Sequence, residues 1–187
     1  MKKPYTVGIS GGSSSGKSTL QDILAEKLND LKVKSFHMDD YFKEASKRPV
    51  IIGFPNGKQY ADDNHPQTLY LDQFYADFEN ALGEDWDVIL VEGVFVLWEE
   101  RILSRLDLKL YVDCDPDERL ARRIKRHLAY GDELDEILER YVNAVKPRHM
   151  EYVEPTKWKA DLILNGFCMP PMQLEILTDW IRKSVAK

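Results

Sequence analysis

YTVGISGGSSSGKST, residues 5–19, runs from an apolar stretch through a glycine- and serine-rich turn to a lysine followed by two hydroxyl residues. Tyr5–Ser10 reads as a buried strand. Leu20, Ile23, Leu24, Leu28 and Leu31 then recur at helical spacing. The turn between them, Gly11–Ser18, is GGSSSGKS and fits G-x-x-x-x-G-K-[ST] in the strand-to-helix context which that pattern requires. The residue types follow from what such a turn must do. Gly11 and Gly16 allow backbone angles and close approach that a Cβ would block. The N–H groups of Gly12, Ser13, Ser14 and Ser15 then face inward, and the helix N-terminus adds its positive end, so the turn is built for phosphates. Lys17 is expected to reach the β- and γ-phosphates, and Ser18, followed by Thr19, to offer its hydroxyl to Mg²⁺. A flexible glycine–serine turn is the plainer reading, but it does not call for lysine and serine at these two positions.

The same alternation continues along the chain. Val33–Met38, Val88–Val91, Leu108–Val112 and Leu162–Leu164 read as strands. Between them lie helical patterns: Leu71, Phe74, Tyr75, Phe78 and Leu82; Leu134, Ile137, Leu138 and Tyr141; and Leu174, Leu177 and Ile181. Strands alternating with helices give an α/β fold, a five-stranded parallel sheet with helices on both faces. With the phosphate loop it is a P-loop NTPase fold in a single domain, 1–187, with a small helical lid at about 119–132. Lys43–Asn64 fits neither period, and the stretch 43–66 is expected to be a long loop on the acceptor side of the site.

Ligands of such sheets bind at the carboxyl ends of the strands, and two acids fall there. Asp39 follows the second strand, where a carboxylate can take the proton from an acceptor hydroxyl and touch Mg²⁺ through water. A solvated turn is the alternative for Asp39. Glu92 closes the apolar run Val88–Val91; burying an acid there is costly without a cation or donors, so Glu92 is expected in the Mg²⁺ shell with Ser18 and Asp39. Asp115-Pro116-Asp117-Glu118 is a helix start with a capping box. Beyond it Arg119, Arg122, Arg123 and Arg126 share one helical face, while Leu120, Ile124 and Leu128 share another and can pack. Guanidinium forks suit a phosphoryl transition state. A solvated basic face is the alternative.

The bulk properties narrow the class. The chain has 187 residues and a net charge of −6, which argues against broad nucleic-acid binding. Cys114 and Cys168 sit in or beside apolar runs and are expected to be buried free thiols. The start has no apolar stretch of signal-peptide length, and no run of 18 apolar residues occurs. A cytoplasmic protein acting on a small molecule, with no nucleic acid and no membrane, is expected. A homo-oligomer is compatible with the sequence.

Together these segments resemble the uridine kinase and phosphoribulokinase-like family of P-loop kinases. The resemblance rests on the phosphate loop, Asp39-Asp40-Tyr41-Phe42, His65-Pro66, Val91-Glu92-Gly93 and Tyr111–Asp115 leading to Arg119-Leu120 and Arg122-Arg123. It continues through Tyr141–Pro147, Pro155-Thr156-Lys157 and Ala160-Asp161. It implies ATP and Mg²⁺, Asp39 as general base, Lys17, Arg123 and Arg126 in catalysis, and an acceptor pocket of Asp39, Tyr41, Phe42, Asp63, Asn64 and His65. The implied acceptor is the primary hydroxyl of a nucleoside, uridine or cytidine. The Asp39–Phe42 segment also looks like nicotinamide riboside kinases, which makes a ribosyl metabolite the alternative.

Three departures from the family pattern stand out. Asn64, with Asp62 and Asp63 upstream, stands where the family has Asp before His-Pro. The base-recognising β-hairpin expected between His65 and Asp87 is missing. Tyr130-Gly131-Asp132 replaces arginines flanking the glycine, leaving Arg140 and Arg148 as other sources of charge. A GTPase would need a late N-K-x-D motif, and none is present. A nucleotide-binding regulator without phosphotransfer would not need Asp39, Glu92 and the arginine face together.

Overall fold

The computed structural model describes residues 2–186. Five strands form one parallel sheet: β1 (Tyr5–Gly11), β2 (Val33–His37), β5 (Val88–Glu92), β6 (Leu108–Asp113) and β7 (Leu162–Asn165), in the spatial order β2-β5-β1-β6-β7. Along β5, consecutive residues alternate between two cores. Ile89 and Val91 face Phe36, Phe74, Phe78 and Phe95, while Val88 and Leu90 face Leu20, Leu24, Leu177 and Ile181. The first core is closed by α2 (Leu71–Leu82), the second by α1 (Lys17–Lys27) and α7 (Pro171–Val185). Each fully buried side chain of this size contributes about 1.5–3 kcal/mol. Both faces must therefore be covered, which is why the strands read as unbroken apolar runs.

The parallel register aligns strand ends. Ile9 and His37 both pair with Glu92, and Gly11 with Val112, so the phosphate turn, Asp39 and Glu92 leave the sheet on the same edge.

Four expectations are corrected. The segment 43–64 is not structureless: β3 (Val50–Ile52) and β4 (Gln59–Ala61) form an antiparallel hairpin, whereas the interval from His65 to Asp87 has no strand, as expected. After the short α3 (Glu100–Leu103), helix α4 (Pro116–Tyr130) begins without a capping box, because Asp115 makes no side-chain cap and Asp117 instead accepts from the Glu118 N–H at 2.9 Å. The buried side of α4 is the charged one. Arg119 and Arg123 are 5% and 9% exposed, whereas Leu128 is 47% exposed and Leu120 and Ile124 are half-buried. Finally, Cys114 is buried as expected, but Cys168 is exposed, since it lies in the loop after β7.

Helix α5 (Leu134–Arg140) does not stop at its periodic residues. It runs through π turns at Tyr141–Val145 and His149–Val153, around α6 (Lys146–Arg148), into a 3₁₀ segment to Lys159. This arm carries Arg148, whose Nε donates to Asp62 at 2.7 Å, and Asp62 itself is fully buried. Asp62→Ala leaves that guanidinium without its buried partner. The expected cost is about 3 kcal/mol, read as a fall in melting temperature of several degrees, and a variant melting with the wild type would refute this pairing role.

Candidate active site

The phosphate turn is set by three backbone positions with φ in the positive range, Gly11 at 146°, Ser14 at 64° and Gly16 at 103°. Gly16 tolerates this for lack of a Cβ, and it opens α1, where the Leu20 N–H donates to its carbonyl at 2.9 Å. Gly12 answers a different constraint: a Cβ there would sit 2.5 Å from Arg119 Nη1, because the Arg119 side chain lies against the turn. Arg119 is held there by Nε donating to the Cys114 carbonyl at 3.0 Å.

The turn faces a cavity of about 470 Å³ lined by Ser13, Ser14, Gly16, Lys17, Ser18, Thr19, Asp39, Val94, Arg122 and Arg126. A slightly larger recess, about 520 Å³, lies at the start of α2 against Lys43, Tyr70 and Tyr75; it contains none of the phosphate-turn residues and no acid of the strand ends. The candidate site is therefore the first, which holds the phosphate-turn residues and Asp39. At the turn the hydroxyls of Ser14, which lines the cavity, and of the neighbouring Ser15 are buried with no hydrogen-bond partner among the described residues. Lys17 is 8% exposed, and among the described residues its ammonium donates only to the Gly12 carbonyl, at 3.3 Å. Unmatched buried donors grouped around one turn fit an absent anion.

Glu92 is buried at the tip of β5. It accepts from Ser18 Oγ at 3.1 Å and lies 3.0 Å from His37 Nδ1. His37 Nε2 is 3.2 Å from Gln21 Nε2, an amide that can only donate, so the tautomer carrying its proton on Nδ1 satisfies both contacts. Asp39 stands in the cavity mouth, reached by water yet walled by the cleft. Burial pushes its carboxyl above the ordinary carboxylate value; Lys17 and Arg126 pull it back, and Glu92 adds to the rise. Ser18, Asp39 and Glu92 are hard oxygen donors of the kind Mg²⁺ takes, and a set of two carboxylates suits an ion that keeps several waters. Among the described residues no cluster of three or more His, Cys, Asp or Glu is arranged to hold a metal.

The other expected site residues are distributed differently. Arg126 lines the cavity and reaches Ser13 Oγ at 3.4 Å. Arg123, one turn back, does not; it lines a second, smaller cavity with Asp63. Tyr41 is turned onto α2, with its ring edge-on to Phe74 and its hydroxyl donating to Asp77 at 2.8 Å. Phe42 lies under the Arg48 guanidinium, 5.0 Å from the ring centre. Asp63 accepts from Arg48 Nη1 at 2.7 Å and from Arg140 Nη2. Arg140 and Arg148 are thus already paired, with Asp63 and Asp62. The Asn64 N–H donates to Asp62 Oδ1 at 3.1 Å, and His65 Nδ1 accepts from the Gln67 N–H at 3.1 Å.

Of the cavity residues, Val94 alone went unread in the sequence, and Arg122 was read only as one member of the arginine face. Val94 carries no signal. Arg122 had one, its place on the arginine face, but only the structure separates it from its neighbours: it is anchored by the carbonyls of Gly166 and Phe167 at 2.9 and 3.1 Å and by Glu118 at 2.8 Å.

A parallel five-stranded sheet with a phosphate turn between β1 and α1, and acids at the neighbouring strand tips, defines a P-loop kinase fold. Residues 54–170 match the model of the phosphoribulokinase / uridine kinase family. The chain is 34% identical to a uridine kinase of Bacillus pumilus, covering 87% of this chain and 86% of the relative. It is 30% identical to one of Clostridium tetani over 100% and 98%. Among solved structures it superposes on a possible uridine kinase from Bacillus stearothermophilus with a TM-score of 0.58 at 20% identity, covering 87% and 89%. It also superposes on shikimate kinase from Bacteroides thetaiotaomicron with a TM-score of 0.54 at 16% identity, covering 98% and 99%. The chain belongs to the phosphoribulokinase / uridine kinase family. No helix among the described residues is long and apolar enough to cross a membrane.

Proposed function

We propose that this chain is an ATP-dependent kinase that moves the γ-phosphate to the primary hydroxyl of a nucleoside, uridine or cytidine first. The observation that carries this reading is one cavity containing both halves of the chemistry: unmatched donors of the phosphate turn with Lys17, and the carboxylate of Asp39.

In this mechanism the backbone and serines of 11–18 hold the triphosphate. Lys17, Arg122 and Arg126 balance its charge as the phosphoryl group leaves. Asp39 accepts the proton from the acceptor hydroxyl. Ser18, Glu92 and Asp39 would hold Mg²⁺, which when bound neutralises phosphate charge. His37, braced by Gln21, keeps Glu92 oriented. Helix α4 acts as the lid, and the hairpin β3–β4 with the segment to His65 forms the acceptor side. The rate advantage comes chiefly from positioning and electrostatics.

A ribosyl metabolite such as nicotinamide riboside is the second reading. It is favoured by Asn64 in place of the family's acid, by the pairing of Asp62 and Asp63 with arginines, and by the helix that fills the interval where uridine kinases carry a hairpin. The test is ADP release with purified protein across a panel of nucleosides, nicotinamide riboside and pantothenate. Acceptor-dependent release is expected with at least one riboside. ADP release that never responds to any acceptor would favour a nucleotide-binding regulator instead.

A further inference from the structure

Gln21 is fully buried on α1, and the oxygen of its amide has no donor among the described residues. Its nitrogen points at His37 Nε2, 3.2 Å away. A buried acceptor left unmatched calls for a reason, and the reason lies in what His37 touches.

Strands β2 and β5 pair so that His37 stands opposite Glu92. Phe36 and Met38, on either side of His37, belong to the core under α2, as do Ile89 and Val91 of β5. Alternation along the strands therefore turns His37 and Glu92 to the other face, where α1 runs. Ser18 and Gln21, three residues apart on α1, share one side of that helix. Ser18 Oγ donates to Glu92 Oε1 at 3.1 Å, the same oxygen lies 3.0 Å from His37 Nδ1, and Gln21 closes the circuit. Four side chains thus tie one helix to two strand tips in a ring.

Asp39 has no such tie of its own. Its carboxylate lines the phosphate cavity and forms no hydrogen bond with any described residue. Its backbone alone holds it there, in the 3₁₀ turn Met38–Tyr41 that starts directly after His37. Met38, buried beside Gly93, fixes this tip from the α2 face; the ring fixes it from the α1 face.

We propose that His37 and Gln21 are positioning residues: the ring they complete sets the spacing between the phosphate helix, with Ser18 and Glu92, and the strand tip that carries Asp39. The inference rests on the kinase reading above. Neither residue lines the phosphate cavity, so both act through the groups they hold. A reacting group misplaced by about 1 Å can lose about 10² in rate, so breaking the ring should show in kcat more than in KM.

The test uses His37→Leu, His37→Asn, Gln21→Leu and the variant combining both leucines, with two readouts. The first is phosphate transfer at saturating ATP to the best acceptor of the panel. The second needs no acceptor: the Mg²⁺ concentration that produces half of the thermal shift of the protein with ADP. In His37→Leu kcat is expected to fall by about 10²-fold with both KM values little changed. The Mg²⁺ midpoint is expected to rise by about tenfold or more, the usual effect of losing a partner behind a metal ligand. His37→Asn keeps a donor where Nδ1 stood and is expected to recover most of both. Gln21→Leu should move both readouts the same way by less. The combined variant should be no worse than His37→Leu, because residues of one hydrogen-bonded network do not lose independently. Melting without ligand checks each fold, and Gln21→Leu and His37→Asn, the milder changes, keep the comparison decisive if His37→Leu melts early.

Wild-type kcat and Mg²⁺ midpoint in His37→Leu overturn the inference and leave the kinase reading standing. Equal losses in His37→Asn and His37→Leu, or losses that simply add in the combined variant, also overturn it, because they assign these residues to packing. A wild type that shows the Mg²⁺-dependent shift with ADP but transfers phosphate to no acceptor overturns the kinase reading, and the claim on Asp39 with it.

Discussion

Asp39→Asn is expected to bind ATP as the wild type does while phosphate transfer falls by about 10²- to 10⁴-fold, the range a positioned general base contributes. The amide keeps the size of the side chain and its place in the cavity mouth but cannot accept a proton. The pH profile supplies a second reading of the same change. Burial holds the Asp39 carboxyl above its ordinary value, and only the ionised form can act as base. The wild-type kcat/KM should therefore decline as pH falls through that raised value, at a higher pH than an ordinary carboxylate would give, and the variant should lose this limb.

The linkage sign points the same way for stability. A group raised by folding contributes stability that is complete below its unfolded pKa and lost as pH rises through its folded one. At neutral pH the ionised Asp39 is therefore a burden on the fold, so the variant should melt no lower than the wild type. Such a trade of stability for activity is common at active sites. Transfer at the wild-type rate in Asp39→Asn would remove Asp39 from the chemistry.

Lys17→Ala is expected to cost a comparable amount by another route. The ammonium is nearly buried and has one weak internal partner, the Gly12 carbonyl at 3.3 Å. Its remaining donors are thus free for an anion within the turn. Removing it leaves Arg122 and Arg126 on the cavity wall, but neither sits within the turn. A loss of about 10²–10³ in kcat/KM for ATP is expected, measured by the ADP assay together with direct nucleotide binding. Lys17→Arg should recover little, because a planar fork does not replace a compact ammonium inside a closed turn. Unchanged ATP binding and turnover in Lys17→Ala would show that the turn does not hold the triphosphate.

The sequence carried the fold's periodic parts and the phosphate turn on its own. Val88–Val91 declares a strand covered on both faces, and Leu20, Leu24 and Leu28 declare the helix that covers one of them, because both signals depend only on near neighbours. The turn is equally local: Gly16 and Lys17 are required by geometry within a few residues. Asp39 and Glu92 were legible as acids at strand ends for the same reason.

What the chain order could not give is which charges meet. The arginines of α4 share a face by spacing, yet the structure sends Arg126 and Arg122 to the phosphate cavity, tucks Arg119 beneath Gly12 and leaves Arg123 alone beside Asp63. Asp62 and Asp63 are adjacent in sequence, but in the turn after β4 one meets Arg148 and the other Arg48 and Arg140, across about eighty residues of chain in two of the three pairs. Such pairings depend on how the hairpin, α4 and the arm pack together, which is a long-range balance of burial and charge. Local pattern placed the phosphate turn and the strand-tip acids; only the tertiary packing decided that the acids upstream of His65 are already spoken for and that one guanidinium is not.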